Sequence, residues 1–237
     1  MSREASVAEL LSLYNNLWMN EAVAGTPIPA SKLPWTPVER LIAAGSIRPG
    51  RPITEMEVGK ALGISRMSAR VAVECSVATG LLSKEANRSA VLLPVSSGDV
   101  LDIFALRALV EWRAISEALA SGSDLSTAHR AAQQYEETIA GQQQSAIMKD
   151  LEFHQALVDS AGNRRLSAIF RLLRTATLAA TMQSGIILNS ERACAQHRRI
   201  LELTGWGTGE NAQDALVEHL DELSARIRSA LPFVISR

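Results

Sequence analysis

Along the first twenty residues the apolar side chains Val7, Leu10, Leu11, Tyr14, Leu17 and Trp18 recur at three- and four-residue intervals. That is the period of one helix face, and it predicts a short amphipathic helix that packs on another element or on a partner. The pattern then breaks. Six of the eight prolines fall between Pro27 and Pro52, and the run GTPIPASKLP reads as an extended linker, because proline biases the residue before it away from helix. Three helix starts follow. Thr36-Pro37-Val38-Glu39 offers an N-cap hydroxyl, proline at the first helical position and a carboxylate at the third, a capping box with a pre-set φ. Thr54-Glu55-Met56-Glu57 repeats the box, and its helix runs to Leu62-Gly63, where glycine can take the positive φ of a tight turn. Ile64 is expected as a buried anchor and Ser65 as the cap of a third helix that ends at about Thr79, before Gly80. Leu81, Leu82 and then Val91, Leu92 and Leu93 flank the polar stretch Ser83–Ala90, which predicts a β-hairpin.

Helix, helix, tight turn, helix, hairpin is the order of a winged helix-turn-helix. From Ser97 onward no strand pattern occurs. Six helices are predicted at roughly 98–121, 124–143, 146–160, 163–184, 190–204 and 210–231, punctuated by Gly122, Gly141, Gly162, Gly185 and the Gly205/Gly207/Gly209 cluster. Closely connected helices of this kind form an antiparallel bundle around one core. The expected fold is therefore mostly α, an N-terminal winged helix-turn-helix plus a C-terminal antiparallel six-helix bundle. Its domains are an extension over 1–35, the head over 36–95 and the bundle over 97–237.

Composition narrows the function. With 237 residues, 47% hydrophobic and 21% charged, the chain has the make-up of an ordinary globular protein. Aromatic residues at 4% leave few stacking platforms for single-stranded nucleic acid. Cys75 and Cys194 make neither a disulfide framework nor a zinc finger. The start MSREAS lacks a basic-then-apolar leader, and no apolar run approaches the ~18 residues of a membrane span. A soluble cytoplasmic protein with no membrane association is expected. The net charge of −1 hides an asymmetry: residues 36–95 carry eight basic and five acidic groups, while residues 96–237 carry fourteen and seventeen. The head has the sign of a phosphate-binding surface, although its excess is small.

The third helix opens Ser65-Arg66-Met67-Ser68-Ala69-Arg70. Arg66 and Arg70 are four apart and project from one face near the end that a recognition helix pushes into the major groove. A guanidinium there reaches a phosphate or pairs with guanine, at ~1–3 kcal/mol of discrimination between bases. Thr54 and Ser65 can offer hydroxyls and backbone N–H groups to phosphate, and Asn87 and Arg88 at the hairpin tip can reach an adjacent groove. The plainer alternative is that the two arginines form a solvated face.

In the bundle, Asp150 and His154 are four apart on one helix face, a spacing that can chelate one ion. His197 has Ile200 and Leu201 on its own side, and Leu216, Leu220 and Leu223 border His219. Each imidazole alone reads as a core histidine hydrogen-bonded to a neighbour. Three of them with a carboxylate, on inward faces of three helices, read as a divalent-metal site of zinc, nickel, iron or manganese type. His129 is expected at the surface, and Asp159 and Glu152 in solvent or behind the ligands.

The run AAGSIRPGRPITEMEVGKALGISRMSARVAVECSVATGLL resembles the N-terminal domain of GntR-family transcription regulators. The resemblance implies operator contacts from Arg66, Arg70 and Arg88. Val71 stands where that family has glutamate, and Ser89 where it has a wing-tip glycine. The segments DIFALRALVEWRAISEALA, DLEFHQALVDSAGNRRL, QHRRILEL and DALVEHLDEL resemble the FCD effector-binding domain of the FadR subfamily, in its metal-binding, VanR-like branch. That resemblance implies Asp150, His154, His197 and His219 as metal ligands and sets fatty acyl-CoA aside as effector. It also matches Arg107 to the arginine of the family's R-x-x-[LV]-E first helix, with Glu111 at i+4. Arg107 then either reaches an effector carboxylate bidentately or forms an intrahelical ion pair with Glu111.

The function these readings imply is a ligand-responsive, DNA-binding transcription regulator, a repressor by the family's usual sign. It would act as a homodimer on double-stranded operator DNA, with a small organic or sugar acid as effector. A metal-dependent hydrolase using the Asp/His3 site is the alternative from another class, although Glu152 and Glu218 point about 100° away from the ligands they adjoin. A third reading keeps DNA binding and makes the metal purely structural.

Overall fold

The computed structural model describes residues 35–139, 143–186, 191–205 and 209–231. The helix expected over residues 7–18 and the proline-rich linker lie outside the described residues. The chain divides into two compact units between Pro94 and Val95.

The first unit contains α1 (Pro37–Ala43), β1 (Pro52–Ile53), α2 (Glu55–Leu62), α3 (Arg66–Ala78), β2 (Leu82–Ser83) and β3 (Ala90–Leu92). All three expected caps form. Thr36 Oγ1 accepts from Glu39 N at 3.1 Å while Glu39 Oε2 accepts from Thr36 N at 2.7 Å. Thr54 and Glu57 repeat this reciprocal pair at 3.2 and 2.8 Å, and Ser65 Oγ accepts from Ser68 N at 3.1 Å. Gly63 takes φ +65°, which turns the chain sharply enough for Ile64 N to donate to Gly59 O at 3.0 Å. The return is so close that a Cβ on Gly59 would sit 3.1 Å from the Ile64 carbonyl oxygen. Ile64 itself is half-buried rather than the buried anchor its hydrophobicity suggested. Val38, Ile42, Val58, Ala69, Ala72, Val73, Leu82 and Leu92 make the core of this unit.

The hairpin of β2 and β3 forms as expected and gains a third strand, in the order β1-β3-β2. Pro52 pairs with Val91, and Leu82 with Leu92, both antiparallel. A two-residue strand that begins with proline has no readable period. It is tolerated because an edge strand leaves one side of the ladder unused. The wing turn, where Ser89 replaces glycine, is made by Asn87 at φ +61°, with Arg88 N donating to Glu85 O at 3.1 Å. Asparagine enters the left-handed region more readily than other non-glycine residues, so the turn does not need the glycine.

The second unit is a bundle of α4 (Ser97–Ser121), α5 (Ser126–Thr138), α6 (Gln143–Asp159), α7 (Arg164–Ser184), α8 (Glu191–Gly205) and α9 (Gly209–Ala230). Helix α4 is the hub, in contact with α6, α7, α8 and α9, while α5 closes over α6 and α8. Ser96 and Asp99 box the start of α4, and Gly122 ends it at φ +61°. Helix α5 begins at Ser126, two residues later than expected, because Asp124 accepts from the Ser126 N–H and hydroxyl at 2.8 and 2.7 Å and so stays outside the helix. Val110 and Ala114 of α4, Val158 of α6, and Phe170 and Leu173 of α7 form one apolar cluster. Among the described residues no helix is long and apolar enough to cross a membrane.

Candidate functional site

The middle of the bundle is polar. Helix α6 carries Asp150 and His154 one turn apart, α8 brings His197 and α9 brings His219, all of them buried. One ligand-type atom from each lies within 4.8 Å of the other three. His154 Nε2 is 3.1 Å from His219 Nε2, and His197 Nε2 is 3.3 Å from both His219 Nε2 and Asp150 Oδ1. Two nitrogens each ~2.0–2.1 Å from one ion at 90–110° to each other stand roughly 2.9–3.4 Å apart, so this spacing is that of co-ligands.

The outer atoms fix which nitrogen faces inward. Glu111 Oε2 lies 2.6 Å from His154 Nδ1, and Glu111 Oε1 accepts from Arg107 Nε at 2.8 Å. Burial pushes the Glu111 carboxyl up, but Arg107 and His154 beside it outweigh that and hold it below the usual carboxylate range. An ionised carboxylate only accepts, so the His154 proton belongs on Nδ1 and the Nε2 lone pair points into the cluster. Gln196 does the same for His219. Its amide nitrogen donates to Glu222 at 3.0 Å, which aims its oxygen at His219 Nδ1, also 3.0 Å away. Two lone pairs therefore face each other at 3.1 Å, with Asp150 Oδ2 buried beside them and lacking a hydrogen-bond partner. A buried polar atom left unmade costs ~1–3 kcal/mol. A cation among these four groups would relieve both features, so the donor set fits a divalent ion.

The electrostatics agree. Burial drives the His197 and His219 imidazoles below their ordinary value, with the neighbouring imidazoles adding to the effect. Burial pushes Asp150 up, but its hydrogen bond with His197 and the three imidazoles around it bring it well below the ordinary carboxylate range. Neutral imidazoles and an ionised carboxylate are the states that ligate metal. Phe153 stacks on His197 at 4.1 Å between ring centroids and holds that ring from behind. A cavity of about 20 Å³, bounded among others by Tyr135, Asp150, Gln196, His219 and Glu222, reaches the cluster. It is room for one water.

Of the two roles expected for Arg107, the structure shows the intrahelical ion pair. Its Nε makes the ion pair with Glu111, which is fully buried rather than exposed on a helix surface. Both terminal nitrogens, Nη1 and Nη2, are buried without an acceptor, and the guanidinium lies 5.0 Å from the Phe104 ring centroid. Glu111 and Gln196 were missed as members of the site. The Arg107–Glu111 spacing hinted at the first. Gln196 adjoins His197 in sequence but serves His219, which no linear reading shows. Glu152 pairs with Lys149 at 2.7 Å and Glu218 with Arg199 at 3.1 Å, so neither carboxylate is directed at the cluster. His129 is exposed.

In the first unit Arg66, Arg70 and Arg88 all stand in solvent, and each has a carboxylate neighbour: Glu55 at 4.0 Å, Glu74 at 2.8 Å and Glu85 at 3.1 Å. Such exposed pairs contribute little and exchange readily for another anion. The Thr54 hydroxyl is already engaged by Glu57, and the Ser65 hydroxyl by Ser68. A groove of about 790 Å³ runs between α2, the start of α3 and the wing, with Lys60, Arg66, Lys84, Asn87 and Arg88 in its lining.

The sequence profile of the FCD domain matches residues 102–222, the span that holds Arg107, Glu111 and all four cluster residues. The chain belongs to the FCD-domain family. It is 24% identical over 204 residues to YdhC of Bacillus subtilis (strain 168), named an uncharacterized HTH-type transcriptional regulator, and covers 82% of this chain and 89% of that one. Its fold is that of GntR-type regulators. The crystal structure of such a regulator from Rhodococcus sp. RHA1 superposes with a TM-score of 0.70 at 21% identity, over 82% of this chain and 95% of that one. McbR/YncC of E. coli superposes at 0.71 with 15% identity, over 95% and 99%. The relatives of this FCD-domain chain are transcription regulators, not enzymes.

Proposed function

We propose that this chain is a cytoplasmic, DNA-binding transcription regulator whose FCD domain holds a divalent metal and senses a small carboxylate metabolite. The observation that carries the sensor is the meeting of three Nε2 atoms, those of His154 and His219 with their lone pairs inward, and the unpartnered Asp150 oxygen in one buried place. Asp150, His154, His197 and His219 are the ligands in this reading, with Glu111 and Gln196 fixing the tautomers of His154 and His219. The bound cation would supply a Lewis-acidic centre for a carboxylate oxygen. The two acceptorless nitrogens of Arg107 match the bidentate pairing that a carboxylate makes with guanidinium.

The head supplies the output. Arg66 and Arg70 at the opening of α3 and Arg88 on the wing meet operator DNA, and the backbone N–H groups beside Thr54 and Ser65 lie at helix starts that can approach phosphate. The chain works as a homodimer. Leu106 and Leu109 on α4 and Ile169 and Leu172 on α7 are exposed large apolar residues on two helices that pack together, a surface suited to a second copy. Two recognition helices would then address half-sites about 34–36 Å apart. Effector binding acts by favouring one arrangement of the dimer over another, with relief of repression as the expected sign.

The test is a duplex-binding titration across salt concentrations, run with and without organic and sugar acids on protein loaded with zinc, nickel, manganese or iron. Binding that weakens steeply with salt and responds to one acid supports the reading. Absence of any duplex binding refutes the regulator. The small size of the cavity favours a second reading, in which the metal only ties α6, α8 and α9 together. Under it, metal raises the melting temperature and no acid raises it further.

A further inference from the structure

Among the described residues of the first unit, two methionines lie outside its core. Met56 on α2 is 74% exposed and Met67 on α3 is 67% exposed. Helix α3 buries Ala69, Val71, Ala72, Val73 and Cys75 against the core, so its outward stripe is Met67, Arg70 and Glu74 at i, i+3 and i+7, with Arg66 beside it. Met67 therefore stands in the first turn of α3 between two solvent-exposed arginines. That turn is the part of a recognition helix that reaches base edges.

A thioether has no proton to donate, so Met67 contributes nothing to phosphate binding and is at best a weak acceptor. The apolar feature a major groove offers is the 5-methyl group of thymine, and apolar side chains read it by contact. The flanking guanidiniums select a polyanion as the partner of this stripe, which rules against an apolar protein face as the occupant. We propose that Met67 is a specificity-determining residue that packs on a thymine methyl in each operator half-site, between positions addressed by Arg66 and Arg70. The inference rests on the DNA-binding reading above and adds the base it selects.

The experiment uses full-length, metal-loaded protein. A random duplex library is enriched by rounds of binding, and each thymine of the enriched duplex is replaced singly by deoxyuridine, which deletes the methyl and nothing else. Loss of one buried methyl predicts about fourfold weaker binding at one thymine per half-site. In Met67→Ser the same replacement changes affinity by less than about 1.5-fold, because the partner of the methyl has gone. Circular dichroism and salt-dependent duplex binding of that variant separate loss of discrimination from loss of fold. An enriched duplex whose binding ignores every thymine methyl overturns this inference and leaves the regulator standing. Failure to enrich any duplex removes the regulator and this inference together.

Discussion

His154 and His219 turn their Nε2 atoms toward each other at 3.1 Å, while their Nδ1 atoms are committed to Glu111 and Gln196. Two lone pairs in this arrangement repel, and the repulsion ends when one cation accepts both. Stripping metal with a strong chelator is expected to lower the melting temperature, and zinc or nickel returned in excess to restore it. The gain should follow RT ln(1 + [L]/Kd), and a melting temperature indifferent to chelation and to every divalent ion would remove the metal centre.

Gln196 touches no ligand atom on the inner side, yet it holds the His219 ring in place and assigns its proton. Gln196→Met keeps the side-chain length and deletes the acceptor. Loss of such an outer partner weakens metal binding about 10–100-fold. Competition against a chromophoric chelator measures it, and an unchanged affinity would show that His219 is oriented by packing alone.

Glu111 neutralises Arg107 where water does not reach. Glu111→Gln leaves a buried guanidinium without its counter-charge, and breaking a buried pair from one side costs about 3–5 kcal/mol. The double variant Glu111→Gln, Arg107→Met removes the stranded charge and should recover most of that loss. Urea melts of the four proteins close the cycle, and strict additivity would mean the two groups do not interact.

Metal-free protein should also lose stability in acid. His197 and His219 are held below 6.5 by burial in the folded state, so the unfolded chain binds protons there that the folded chain does not. The stability is complete above about pH 6.5 and falls as the pH drops below it, by up to about 1.4 kcal/mol per pH unit for each histidine. Asp150, also held low, adds its own loss only when the pH passes below the ordinary carboxylate value of 3.8. Chelator-treated protein melted at pH 8, 6.5 and 5.5 tests the sign: equal stability at all three would contradict the burial of neutral imidazoles.

Leu109 is 67% exposed on α4, a helix that packs against α7. Leu109→Glu places a charge in the middle of the proposed dimer surface, where it loses its water on association. Sedimentation velocity should report a dimer for the parent chain and a monomer for the variant with unchanged helicity. A dimer in both would move the interface elsewhere.

Local chemistry decided much of this protein from the sequence alone. Thr36, Thr54 and Ser96 start helices because the cap hydroxyl and the N3 carboxylate each accept from the other's backbone N–H, and Ser65 does so because its hydroxyl accepts from Ser68 N. Gly63 turns the chain because no side chain opposes its φ. Asp150 and His154 share a face because α-helix geometry puts i and i+4 together, and hydrophobic neighbours told which way His197 and His219 face. Other features depended on which helices meet and at what depth. Only packing brought Glu111 of α4 to His154 of α6, sent Gln196 to the histidine of another helix, and left two nitrogens of Arg107 in the dry interior without acceptors. Only the sheet paired Pro52 with Val91, and Asn87 replaced the wing glycine through a backbone angle that composition does not display. Periodicity reports the direction of a side chain about its own axis. What it meets there is set by the other helices, whose positions depend on the joint burial of residues far apart in the chain.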